Sequence, residues 1–221
     1  ILAARIVPSA LVGIQAVLVG LAIGLVLGVV AAYRHNTPLD YVTMIISVLG
    51  ISVPNFVVAA LLQYLFGLKW GILPVAYWES YKSSILPSLA LSFGVIAQIA
   101  RFVRTEMLTV LQQDYILMAK AKGLSPAKIL MRHALRNSML PVLTILGAIT
   151  VNVLTGSLAV ESIFSVPGIG SLFVDTIKAN DYSTILGLTI FYSAFYVVVI
   201  LIIDILYCVI DPRIRLAPAK E

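Results

Sequence analysis

Side chains able to do covalent or redox chemistry are few and scattered in this sequence. His35 and His133 lie far apart, with no cysteine or paired acids beside either, so neither belongs to a metal-ligand set. Cys208 is the single cysteine; it excludes an internal disulfide framework and, set in an apolar run, reads as packing. No Gly-x-x-x-x-Gly-Lys-Ser/Thr phosphate loop and no Gly-x-Ser-x-Gly elbow occurs. Work driven by ATP would therefore need separate chains to bind ATP and magnesium, and no cofactor is expected here. Two acids fall in or beside apolar runs. Asp204 is a functional suspect by its setting, but its closeness to Arg213 suits a pairing or interfacial role. Glu161 is expected at an interface. One marginal acid is a poor basis for a proton relay.

Uncharged polar residues are the other candidates. Thr144, Ala148, Asn152 and Thr155 are spaced by four, four and three, which places them on one face of a helix. Asn55 and Gln98, in two other apolar runs, are able to face the same route. Asn55, Gln98, Thr144, Asn152 and Thr155 are therefore the candidate lining of an uncharged path. Small polar side chains also hold helices together, and both readings stay open.

The elements that must carry these residues are set by composition. Of 221 residues, 61% are hydrophobic and 11% charged, against about 45–50% and about 25% in average soluble domains. A soluble globule of this size cannot hide so much apolar surface. A bilayer can, and it needs roughly 20 apolar residues per helical span. Five runs qualify: Ser9–Tyr33, Tyr41–Leu68, Ile85–Thr105, Leu140–Ile163 and Thr184–Ile210. The expected fold is an all-α polytopic membrane bundle, one transmembrane domain over 1–221. Gly20, Gly24 and Gly28 share one face of the first span and suit close helix packing. Ser52-Val53-Pro54-Asn55 predicts a kink in the second span, either lining a water-filled path or satisfied within the bundle.

Net charge is +5, but the basic residues flank apolar runs, so membrane orientation explains them better than nucleic acid. One set of connections holds Arg34, then Arg101, Arg104, Lys120, Lys122, Lys128, Arg132 and Arg136, then Arg213, Arg215 and Lys220. The other holds Arg5, Lys69, Lys82 and Lys178. The richer set marks the cytoplasmic side. Five spans then place Ile1 outside and Glu221 inside, and a sixth span upstream is expected, in keeping with a first residue that is not Met.

The longest cytoplasmic connection, Met107–Met139, predicts two short helices. The first spans about Asp114–Lys122, with an acidic start and basic end. Gly123 suits the left-handed residue after it, Ser125 an N-cap and Pro126 the first position of a second helix reaching about Asn137. In that helix Ile129, Leu130, Ala134 and Leu135 make an apolar stripe, while Lys128, Arg132 and Arg136 make a basic one. Anionic lipid would hold such a loop. A structured helix–Gly–helix element also invites a docking partner.

Asp114-Tyr115, Ala119-Lys-Ala-Lys-Gly123-Leu124, His133-Ala-Leu-Arg-Asn137 and Leu140-Pro141 resemble the cytoplasmic "EAA" region of ABC-importer permeases. The likeness is to the branch that includes the oligopeptide, dipeptide and nickel permeases, nearest the first permease subunit of Gram-positive-type oligopeptide importers. It continues through Glu161-Ser-Ile-Phe164, Pro167-Gly-Ile-Gly170, Asp181-Tyr182, Asp204-Ile-Leu-Tyr207 and Asp211-Pro-Arg-Ile214. Leu117 stands where the general motif has Glu, and the distance from Gly123 to Pro141 is longer; both departures are similar to the peptide branch.

The resemblance implies a non-catalytic permease subunit forming the path for oligopeptides or dipeptides. Nickel or another small solute is the alternative, and a stand-alone secondary transporter a more distant one. It implies that Tyr115, Ala119, Lys120, Ala121, Gly123 and Leu124 form a coupling helix seated on an ATPase subunit. Implied partners are a second homologous permease, two ATPase subunits, an extracellular binding protein that delivers substrate and the lipid of the cell membrane, with no nucleic acid.

Overall fold

The computed structural model describes residues 2–154 and 158–210, and every regular element among them is helical. Helix α1 spans Leu2–Tyr33 and α2 Pro38–Ser52. Helix α3, Asn55–Leu62, continues as π-helical turns over Gln63–Lys69. A 3₁₀ turn at Tyr81–Ser84 leads into α4, Ile85–Leu111, longer than the expected span, which stopped at Thr105. Then come α5, Asp114–Ala121, and α6, Pro126–Lys128, followed by π-helical Ile129–Leu135 and α7, Arg136–Leu154. Helices α8, Leu158–Ile163, α9, Ile169–Lys178, and α10, Tyr182–Ile210, complete the described residues. Thr155 and the 211–214 block lie outside the described residues, as does the side chain of Asp204.

Among the described residues, four stretches are long and apolar enough to cross a bilayer, and the α2–α3 pair makes a fifth if counted as one span. That pair corrects the expected second span. Instead of one kinked helix over 41–68, two helices meet at 99°. The cause is local: Pro54 has no amide to donate and forces Val53 into extended backbone, φ −83° and ψ 121°. The second loop helix is corrected too. It does not stop near Asn137 but runs on through the π-helical turns into α7 without a break.

Helix α4 lies at the centre, packed against α1, α2, α3 and α7. Its seam with α1 depends on absent side chains. A Cβ at Gly24 would sit 2.8 Å from the Cβ of Ile99, and one at Gly28 2.7 Å from the carbonyl of Ala100. Lipid tails are as apolar as leucine, so van der Waals contact, not water exclusion, holds such helices together. The glycine face delivers that contact by letting the backbones approach. Val95, Ile99, Val103 and Met107 of α4 then form one core with Leu130, Val142 and Ile149. A second core at the other end joins Val12, Ala16, Leu86, Ala90 and Phe164.

Candidate functional site

The connection after α4 folds into an elbow whose turn is set by local chemistry. Gly123 adopts φ +74°, where a Cβ would be strained. Its amide donates to Lys120 O at 2.9 Å, and the amide of Leu124 donates to Ala119 O at 3.3 Å. This crossed pair is the Schellman closure of a helix C-terminus. The Ser125 hydroxyl then accepts from the Lys128 amide at 3.4 Å, with Pro126 in the first turn. Ile116, Ala119 and Ile129 close a small core of their own, with Leu111 and Leu124 against it. The Asn137 amide group donates to the Tyr115 hydroxyl at 2.8 Å, tying α5 to α7.

Lys120, Ala121 and Gly123 are exposed on this elbow and Leu124 is half-buried. Ala119 is 6% exposed, so it builds the elbow from within and does not face outward. The outward apolar side chains are Leu117 at 68% exposure, which the sequence marks only as standing in place of a Glu, and Met118 at 60% and Met131 at 57%, which the motif does not include; Tyr115 is exposed as well. Their signal was present in the alternation of buried and free positions along α5, which only the Ile116–Ala119–Ile129 core makes readable. Lys128, Arg132 and Arg136 are all exposed on the second arm.

The uncharged polar candidates divide. Asn55, Gln98 and Asn152 line a single cavity of about 280 Å³, walled also by Leu91, Gly94 and Ile149. Asn55 sits on the break between α2 and α3, Gln98 about midway along the Tyr81–Leu111 stretch and Asn152 midway along Pro141–Ile163. The break between α2 and α3 therefore borders the cavity. Thr144 is exposed on the same face of α7 as Ala148 and Asn152 but does not line the cavity. Thr155 lies outside the described residues.

Two buried polar clusters brace the bundle, and neither was anticipated. At the elbow end, Asp40 is 1% exposed and held by Arg104 of α4. His35 Nδ1 lies 3.1 Å and the Asn36 amide 3.0 Å from its Oδ2. In the sequence Asp40 looks like any acid in a first helical turn. At the opposite end Glu161, expected at an interface, is 2% exposed. Ser9 donates to its Oε1 at 2.8 Å and the Ser171 amide to its Oε2 at 3.0 Å. A carboxylate thus sits at the first turn of α9, with Gly168 and Gly170 making the room. Beyond it, the exposed Asp181 caps α10; bonds from the Thr184 hydroxyl and amide hold its carboxyl below the ordinary carboxylate range.

The family described as binding-protein-dependent transport system inner membrane component matches residues 24–216. The dipeptide transport system permease protein of Bacillus subtilis is 48% identical over 204 residues, covering 92% of this chain and 66% of that protein. The oligopeptide transport system permease protein of Salmonella typhimurium is 43% identical, covering 97% and 71%. The chain thus spans about two thirds of the length of these relatives. Among solved structures, an inward-facing methionine ABC transporter superposes with TM-score 0.82 at 14% identity, over 95% of this chain and 96% of that one. An amino acid ABC transporter superposes at 0.68 and 18%, over 96% and 94%.

Proposed function

The chain belongs to the family of binding-protein-dependent transport system inner membrane components, and on that premise we propose that it is the permease subunit of a peptide importer powered by separate ATP-hydrolysing chains. It is embedded in the membrane. The observation that carries the reading is the elbow: a compact unit with its own core, projecting Leu117, Met118 and Met131 where none of the described residues covers them.

A short element of this kind suits a groove on an ATPase subunit. Closure of that partner would push α5, and through the Tyr115–Asn137 bond and the unbroken helix into α7, a push at the elbow would reach the cavity wall at Asn152. Transport is then a two-state rearrangement biased by ATP bound elsewhere. The basic residues gathered around the elbow support a cytoplasmic placement for that end. Asn55, Gln98, Asn152 and the exposed Thr144 form this chain's share of the path, and a second, homologous permease forms the rest. The peptide substrate follows the names of the relatives, and an extracellular binding protein would deliver it.

Co-purification of the full-length permease with its ATPase subunits tests this. Leu117→Asp with Met118→Asp is expected to release the ATPase subunits while leaving the permease folded. Undiminished binding by that variant, or substrate uptake by the permease alone without ATP, would overturn the reading. Uptake of nickel and not of dipeptides or tripeptides would keep the permease and change its cargo.

A further inference from the structure

We propose that Asn55, Gln98 and Asn152 form a carboxamide collar that binds the amide bonds of a passing peptide main chain, so that selection within the membrane ignores side chains. This rests on the reading of the cavity as part of a transport path.

The three carboxamides come from α3, α4 and α7 and meet at one cavity, each near the middle of its apolar stretch. Each has two N–H donors and an acceptor oxygen, the same groups a peptide bond must pair with. An unsatisfied N–H or C=O in a water-poor setting costs roughly several kcal/mol. A neutral collar offsets that cost for every residue of a peptide alike. A charged collar would hold one class of side chain and repel another.

The remaining walls agree with this role. Leu91, Gly94 and Ile149 add no charge. Gly94 lies directly beside the collar: a Cβ there would stand in ordinary contact with Asn55 Oδ1, at 3.4 Å. The Gln98 amide nitrogen rests on the Gly94 carbonyl of its own helix at 3.3 Å, a long bond that is readily exchanged for one to a ligand. Among the described residues no three His, Cys, Asp or Glu side chains gather here or elsewhere, so the collar suits a neutral polar backbone and not a free cation.

The test uses the full-length permease reconstituted with its ATPase subunits and binding protein in vesicles. Uptake is compared for alanine tripeptide, tripeptides with Lys or Phe at the centre, and alanine tripeptide N-methylated at the amide nitrogen of its central residue. Discrimination by the binding protein is common to every permease variant and cancels in the comparison. Gln98→Met and Asn152→Leu are expected to slow all unmethylated tripeptides by a similar factor, about threefold to tenfold. The same variants should shrink the N-methyl penalty by that factor, and Gln98→Asn should retain it. An N-methyl penalty unchanged in all variants overturns the collar, as does a reordering of the Ala, Lys and Phe peptides. Gln98→Trp and Gly94→Val report separately on the path: if both leave uptake untouched, the cavity is no conduit and the underlying reading fails first.

Discussion

Arg104 grips the buried carboxylate of Asp40 with two parallel bonds, Nε to Oδ1 at 2.5 Å and Nη2 to Oδ2 at 2.8 Å. This pair fastens the α1–α2 turn to α4 two helical turns before α4 leads into the elbow. Both oxygens are satisfied, which is what a buried carboxylate requires.

Breaking one side of this pair leaves the other charge stranded, so Asp40→Asn or Arg104→Met alone is expected to destabilise by roughly 3–5 kcal/mol. Asp40→Leu combined with Arg104→Met should recover most of that loss. Thermal unfolding of the permease in detergent reads the comparison. A double variant as unstable as the sum of the singles would refute the pairing.

The glycine seam predicts a contrast within one residue type. Gly24→Val drives a branched side chain into Ile99 and the Ile96 carbonyl and should cost roughly 1–3 kcal/mol or more. Gly187→Ala meets nothing within 4 Å and should be neutral or slightly stabilising in the isolated permease. Equal effects on stability would mean α1 and α4 are not in this close contact.

Glu161 and the two glycines form a single packing unit. An alanine at Gly168 would strike Glu161 Oε2 and Ser9 Oγ, and one at Gly170 would stand 2.8 Å from the same carboxylate. Gly168→Ala is expected to loosen the first turn of α9, seen as faster amide exchange at Ile169 and Ser171. Glu161→Ala should do the same, because it strands the Ser9 hydroxyl and the Ser171 amide. Unaltered exchange in both variants would show the unit is not formed.

Gly123 is required for its backbone and not for its surroundings, since a Cβ there meets no atom within 4 Å. Gly123→Asn should therefore be tolerated better than Gly123→Val, by about 1 kcal/mol or more. ATP-driven uptake by the two variants is the measurement, and a better Val variant would contradict the left-handed turn.

The Asp181 cap predicts a pH dependence with a definite sign. Its carboxyl is held low by Thr184, so the cap is fully formed above the ordinary carboxylate pKa and is lost as pH falls through the lower folded value. Amide exchange in the first turn of α10, corrected for intrinsic rates, should quicken only in that acid range. Asp181→Ala should exchange fast at every pH, and a wild-type rate in that variant would remove the cap.

Much of the fold was legible because its causes are local or compositional. The bilayer demands long apolar helices, and the runs along the chain supplied them. Every step of the elbow from Asp114 to Pro126 is set by neighbours within a few residues: glycine for a left-handed turn, serine for an N-cap, proline for a first turn. Asn55, Gln98 and Asn152 stood out as polar groups for a related reason, since an uncharged carboxamide in an apolar run needs a polar partner somewhere.

What the linear chain could not reveal was which of those groups meet. Asn55, Gln98 and Asn152 share a cavity only because Pro54 turns the chain through 99° and the α1–α4 seam sets where α4 stands. The burial of Asp40 and Glu161 depends on partners 64 and 152 positions away, Arg104 and Ser9, and no local rule links them. Outward exposure of Leu117 and Met118 likewise follows from Ile129 folding back on Ile116 and Ala119. Sequence alone determined the solvent, the helices and the hinge residues, because propensity and transfer energy act within a few residues. The tertiary structure decided which side chains face one another, because that depends on contacts between distant parts of the chain.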